Sequence, residues 1–352
     1  MSDIGISAIE RCKSRVTNPS TLVEGPRGFA VWHGPLRLTA WADAPFMVGE
    51  VEISRLHART DFLSGFTGSD EQCTLLRRIM PQTIFSGIVR SPDDPSRLQL
   101  ACSVYFAAAG DPCMLEHFLI AASVQPAEIA VLTPTKDELA SVGLAVAEAP
   151  HPRLGLIEGD LDLFKKGLDP YKAAGNQPAA CGADEIEEAY SEFERSSFLQ
   201  HCVLETQSDE CIQLEFPCLH MTSLVKLATN VPHPVIGNGL VSQLLLPNWP
   251  KDPVKFALEL NERELTTNTQ VNFLGGWSVD KFSTPTFTSF VPNRAHIRGM
   301  AVMSLLTMML RAYWVESHVN GGAWTFSRSC ELRGRKLSEL AEVICQEGKP
   351  LT

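Results

Sequence analysis

The stretches VNFLGGWSV at 271–279, TFTSFV at 286–291 and MAVMSLLTMMLRAYWVESHV at 300–319 decide how this chain is read. With Phe256–Leu260 before them, they predict strand, strand, strand and one long helix. From Met300 to Leu310 the run is apolar almost all round, where a surface helix shows a single apolar stripe. Such a helix is covered on more than one side. Ser304 and Thr307 lie inside it, and the run is too short and too polar to span a bilayer. Its methionines suit either an irregular core or an adaptable binding groove. Met303, Met308 and Trp314 are the residues that would line such a groove. Gly321-Gly322 marks the helix end.

Outward from this stretch, a fainter copy of its ending lies in the first half. Leu98–Phe106, a turn, and a helix over Cys113–Val124 follow the order of Thr286–Val291, a turn, and Met300–Val319. The residue identities match poorly and the order matches better, so a tandem duplication is a hypothesis, with common α+β packing as the alternative. Before this copy, Phe29–Trp32, Leu36–Trp41 and Phe46–Leu56 predict an antiparallel meander, and Asp70–Met80 a helix closed by Pro81. Phe85–Val89 is the strand before Leu98–Phe106. In the second half Cys202–Glu205, Cys211–Phe216 and Leu240–Leu246 predict strands and Ser223–Ala228 a helical turn.

Residues 133–195 are rich in Gly, Pro and Ala and predict a linker carrying two short helices, Lys136–Leu144 and the acidic Asp184–Phe198. The expected architecture is α+β: two antiparallel-sheet domains each covered by helices, at 1–132 and 196–335, with a helical tail at 336–352.

Composition bounds the function. The chain has 352 residues, 44% hydrophobic and 20% charged, which is enough to bury real cores. A net charge of -11 without a basic cluster argues against nucleic acid as a partner. The first residues lack an apolar signal segment, so a cytoplasmic protein with reduced cysteines and no membrane association is expected.

Chemistry-bearing constellations are weak. His201, Cys202, Cys211, Cys218 and His220 fall within twenty residues, but not at zinc-site spacings. Buried thiols outweigh a metal there, and no cofactor is expected. Cys113 near a helix start with His117 one turn on is the best reactive-thiol candidate, against a core cysteine beside a partly exposed histidine. Gly237-Asn238-Gly239 lacks what a phosphate loop requires and reads as a turn. No catalytic residue is assigned.

The layout carried by Leu240–Leu246, Val271–Val279, Thr286–Val291 and Met300–Val319 resembles the type III secretion chaperone-like fold, with its YbjN-like relatives. The resemblance covers about 140 residues and rests on pattern. It implies an α+β domain that pairs with another copy and offers a surface to a protein partner, and it implies no catalytic residues. The length and the linker depart from the small single-domain members. Two fused copies in place of a homodimer would reconcile them, with Met300–Val319 packing on Cys113–Val124. The expected function is non-enzymatic, cytosolic and protein-binding, as a monomer or homodimer. The alternative is a small-molecule-binding protein or an enzyme with an inter-domain pocket.

Overall fold

Each half of the chain builds the same unit: a helix, a meander, a second helix, a hairpin and a long apolar helix. The structure, a computed structural model, describes residues 3–16, 19–48, 50–107, 112–157, 183–195, 203–208, 211–217, 222–233, 235–247, 252–267 and 271–319. The first unit runs α1 (Ile4–Lys13), β1 (Val23–Gly25), β2 (Gly28–His33), β3 (Leu36–Ala42), β4 (Phe46–Val48), β5 (Val51–Ser64), α2 (Asp70–Ile79), β6 (Gly87–Arg90), β7 (Leu98–Ala107) and α3 (Pro112–Leu132). Then come α4 (Lys136–Ser141) and β8 (Ala145–Val146), which returns to pair with β5. The second unit runs α5 (Ala183–Arg195), β9 (Val203–Ser208), β10 (Cys211–Pro217), β11 (Thr222–His233), β12 (Gly237–Leu245), α6 (Pro253–Thr266), β13 (Gly276–Val279), β14 (Pro285–Pro292) and α7 (Met300–Val319).

The sheets are antiparallel and have the same strand order. The first is β1-β2-β3-β5-β7-β6, with β4 and β8 attached to β5; the second is β9-β10-β11-β12-β14-β13. The registers also correspond. Leu100 on β7 sits between Thr60 and Ile88, and Phe287 on β14 sits between Leu244 and Trp277. The α+β, two-sheet architecture is therefore as the sequence predicts.

Several elements differ from expectation for local reasons. Phe256–Leu260 is helical, not a strand. Asp252-Pro253 starts α6 with proline in its first turn, where the missing N–H costs nothing. Within 271–279 only Gly276–Val279 is strand, and Phe273 instead forms an isolated bridge with Ser103. Ser223–Ala228 is strand, inside β11. The third meander strand turns at β4 and restarts as β5, reaching Ser64 where an end at Leu56 is predicted. α3 continues through Pro126 to Leu132. It is long and apolar enough to cross a membrane. Here it lies on β3, β5 and β7, and its Gln125 accepts a hydrogen bond from Thr60 Oγ1 in the interior.

The long helices α3 and α7 each cover their own sheet, α7 lying on β11, β12 and α5, and do not form the expected helix pair. The units join through the edge strands β6 and β13 and the helix α6. Both edge strands begin at glycine. A Cβ on Gly276 would sit 2.6 Å from Gly87 Cα and 2.7 Å from Ser86 O, so the two backbones touch where no side chain fits. Asn261 of α6 fastens both edges. Its Nδ2 donates to Ile88 O and Trp277 O, and its Oδ1 accepts from Trp277 N at 2.7 Å. Ser103 and Phe273 exchange backbone hydrogen bonds of 2.9 and 2.8 Å across the join. The apolar core is shared as well. One cluster joins Phe62, Leu76 and Leu100 to Leu244, Phe287 and Met308; another joins Phe85 and Val104 to Val241 and Phe290. The sequence boundary at 133–195 does not separate two cores.

Candidate functional site

The β5 sequence alternates Arg55, His57, Arg59, Asp61 with Leu56, Ala58, Thr60, Phe62. In a strand this period of two sends the sets to opposite faces. Leu56 and Ala58 meet α1 and α3 in the core. The charged set lies on the other face, beside Arg37, Thr39 and Trp41 of β3 and Gln99, Ala101 and Ser103 of β7. The C-terminal end of α6 closes one side of this face over Arg55.

Arg55 is fully engaged. Its guanidinium donates to Ser103 Oγ and to the carbonyls of Glu264, Leu265 and Thr267 at 2.9–3.1 Å. Those are the free carbonyls at the end of α6, so a cation there answers both the orphan acceptors and the negative end of the helix dipole. At the far end Asp61, buried, lies 3.0 Å from Arg37 Nε and accepts from Gln99 Nε2 at 2.8 Å.

The middle of the ribbon is not satisfied. His57 is 5% exposed, and its Nε2 lies 2.8 Å from Asp43 Oδ2. The neighbouring imidazole holds the Asp43 carboxyl below its ordinary value. Burial lowers the His57 value, and Arg55 and Arg59 push the same way against Asp43. A neutral imidazole facing a carboxylate carries its proton on Nε2, which donates to Asp43, and leaves Nδ1 as a bare acceptor. That Nδ1 is buried with no hydrogen-bond partner among the described residues. Trp41 stacks on His57 with centroids 4.9 Å apart, and Arg59 Cζ stands 5.3 Å from the Trp41 ring centroid. Burial lowers the Arg59 value too, against Asp93 and Glu262. Its Nε has no hydrogen-bond partner among the described residues, and Glu262 is occupied by a two-pronged pair with Arg90 at 2.6 and 2.7 Å.

The residues singled out from sequence fall elsewhere. Met308 and Trp314 are buried, at 1% and 3% exposure, so they belong to the core and not to an open groove. Met303 is half-buried on α7. Arg311, which interrupts the apolar helix, is buried and paired with Glu264, and its guanidinium lies 3.5 Å above the Phe287 ring. Cys211, half-buried and outside any disulfide, opens β10. His201, Cys202, Cys218 and His220 lie outside the described residues, as do the Cys113 side chain and the tail at 336–352. No group of three metal-ligating side chains occurs among the described residues. His117 binds the Ala295 carbonyl at 2.9 Å, and Gly237 adopts φ +81° in the β11–β12 turn. Sequence reasoning missed the β5 ribbon. Its signal was the strict alternation from Arg55 to Phe62.

Compared with protein-family models, curated proteins and solved structures, the chain matches none. Its class is set by its own geometry: a two-unit α+β protein with one charged sheet face.

Proposed function

We propose that the chain is a non-enzymatic, cytosolic protein-binding module of the chaperone-like kind, in which two mated units stand in for a pair of copies. One observation carries this reading: the units repeat the same sheet order and meet edge to edge at Gly87 and Gly276. The fold it resembles pairs copies to build a partner-binding body, and fusion makes the pair permanent. A fused pair needs no second chain, so the protein is a monomer in this reading.

The receptive surface is the face bearing Arg37, Trp41 and Arg59. Tryptophan and arginine are enriched at the energetic centres of protein interfaces, the first for its large rigid area and the second for its several donors. The test is native mass spectrometry of the protein purified gently from its own cells, beside a Trp41→Ala, Arg37→Ala variant. The expected result is one polypeptide bound in fixed stoichiometry to the wild type and lost from the variant. Wild type and variant both free of polypeptide, with unchanged circular dichroism, overturn the proposal.

The alternative, a small-molecule-binding protein or enzyme, is favoured by one feature of the same face: His57 Nδ1 and Arg59 Nε are both buried with no hydrogen-bond partner among the described residues.

A further inference from the structure

The centre of the β5 ribbon pairs two opposite deficits. His57 Nδ1 is a buried acceptor lacking a donor, and Arg59 Nε is a donor lacking an acceptor. The two side chains project from one strand two residues apart, about 7 Å along the backbone. Both pack against the same Trp41 ring, the His57 centroid 4.9 Å and Arg59 Cζ 5.3 Å from the Trp41 centroid. Around them, Arg55 is saturated by neutral oxygens, Asp61 is shared by Arg37 and Gln99, Glu262 is held by Arg90, and Asp93 and Glu262 act on Arg59 from a distance. Asp43, the nearest carboxylate, is directed at His57 Nε2.

We propose that Trp41, His57 and Arg59 form a binding site for a small oxyanion that carries its own hydroxyl, either a phosphate group or a hydroxy-acid carboxylate. The anionic oxygen accepts from the Arg59 guanidinium. The hydroxyl donates to His57 Nδ1, whose acceptor state is set by Asp43. Trp41 forms a flat wall beside both. An oxyanion without a hydroxyl satisfies only Arg59 and leaves the buried Nδ1 bare, and leaving one buried polar group unpaired weakens binding by about tenfold. This inference goes beyond the protein-binding reading and stands whether or not that reading holds.

The experiment is a titration of the full-length protein at pH 7.5 with four probes: inorganic phosphate, glycolate, sulfate and acetate. Isothermal calorimetry gives affinities, and 15N spectra of the histidine-labelled protein follow the imidazoles. The His57 signal is assigned by its loss in His57→Gln. Phosphate or glycolate is expected to bind about tenfold tighter than sulfate or acetate respectively and to shift the His57 Nδ1 resonance. Binding by phosphate alone assigns a phosphate site; binding by glycolate alone assigns a hydroxy-acid site. Arg59→Gln should abolish binding and Arg59→Lys partly restore it, both with wild-type circular dichroism. No binding by either hydroxylated probe, sulfate and acetate binding as tightly as they do, or an unmoved His57 resonance on saturation overturns the proposal.

Discussion

The two sheets share a strand order and a register, yet their second faces are made of different chemistry. Along β5 the face carries Arg55, His57, Arg59 and Asp61. At the corresponding registers of β12 it carries Gly239, Val241, Gln243 and Leu245. Trp41, opposite His57, corresponds to Ala228, opposite Val241. In the second unit the face is plugged: Val241 and Phe290 pack with Phe85, which reaches over from the first unit. The second unit buries its charge elsewhere, between α6 and α7. There Arg311 meets Glu264, and Glu264 also accepts from Trp277 Nε1 at 2.9 Å. Breaking a buried pair leaves an uncompensated charge and is costly, whereas a buried polar group without a hydrogen-bond partner already costs stability as it stands. The comparison separates a structural ion pair from a site within one architecture.

The largest effect should come from breaking the satisfied pair. Glu264→Gln leaves Arg311 buried without its carboxylate, a loss of about 3–5 kcal/mol. Urea unfolding should show the midpoint falling sharply with the slope unchanged. A change below about 1 kcal/mol, the usual worth of an exposed ion pair, would make Arg311 and Glu264 effectively solvated and remove the contrast between the units.

The mating contact comes next. Gly276→Ala places a methyl group against Gly87 Cα and Ser86 O, and both are backbone, so neither can rotate away. Overpacking of this kind costs about 1–3 kcal/mol. Gly25→Ala is the control: like Gly276 it lies in a strand without a positive φ, but the atom nearest its Cβ position is 3.5 Å away, an ordinary contact. If the two variants lose the same stability, the loss belongs to backbone conformation and the edge-to-edge join is not a tight contact.

A smaller effect, of opposite sense, is expected on the ribbon. Giving β5 the residues of β12, His57→Val and Arg59→Gln together, removes two buried atoms without hydrogen-bond partners and keeps strand-compatible side chains. Stability should hold or rise by about 0.5–2 kcal/mol, as when a functional site is exchanged for packing. A loss of more than about 1 kcal/mol would place both residues among the structural ones.

What was legible in the sequence follows the same division. α7 could be read because residues 300–310 are apolar on every side, and its burial against two strands and α5 follows. The tandem order was visible as strand, turn, helix, but the matching registers were not, since Leu100 and Phe287 correspond only through strand pairing. FALEL at 256–260 alternates like a strand, and the Asp252-Pro253 start signal outweighs that alternation once Leu258 and Leu265 have a core to face. An end near Leu56 follows from Val48, Val51, Ile53 and Leu56, which keep no single period, although Arg55 to Phe62 alternate as a half-buried strand does. The methionine groove had the reverse fault: an apolar all-round helix invites an external partner, and its own sheet and α5 supply the cover.

The smallest expected effect is in pH dependence, and it tests the protonation state on which the site rests. Burial lowers His33 to about 4. Burial also lowers His57, with Arg55 and Arg59 adding and Asp43 opposing. A histidine depressed in the folded state binds fewer protons there than in the unfolded chain. Its contribution is therefore complete above the unfolded value of about 6.5 and is lost as pH falls from there through the folded value. Glu128 works the other way. Burial raises its carboxyl, so its contribution is present below its unfolded value and fades as pH rises through the folded one. Asp43, lowered chiefly by His57, matters only below its ordinary 3.8. His57→Val removes one histidine term and leaves His33 and Glu128 in place. Between pH 7.5 and 5, urea midpoints of the wild type should fall more steeply than those of His57→Val, by a difference of up to about 1 kcal/mol across the window. Parallel slopes would mean that the imidazole titrates alike folded and unfolded. Nδ1 would then lose its standing as a bare acceptor at neutral pH, and the charged face of the first sheet would differ from its counterpart in composition alone.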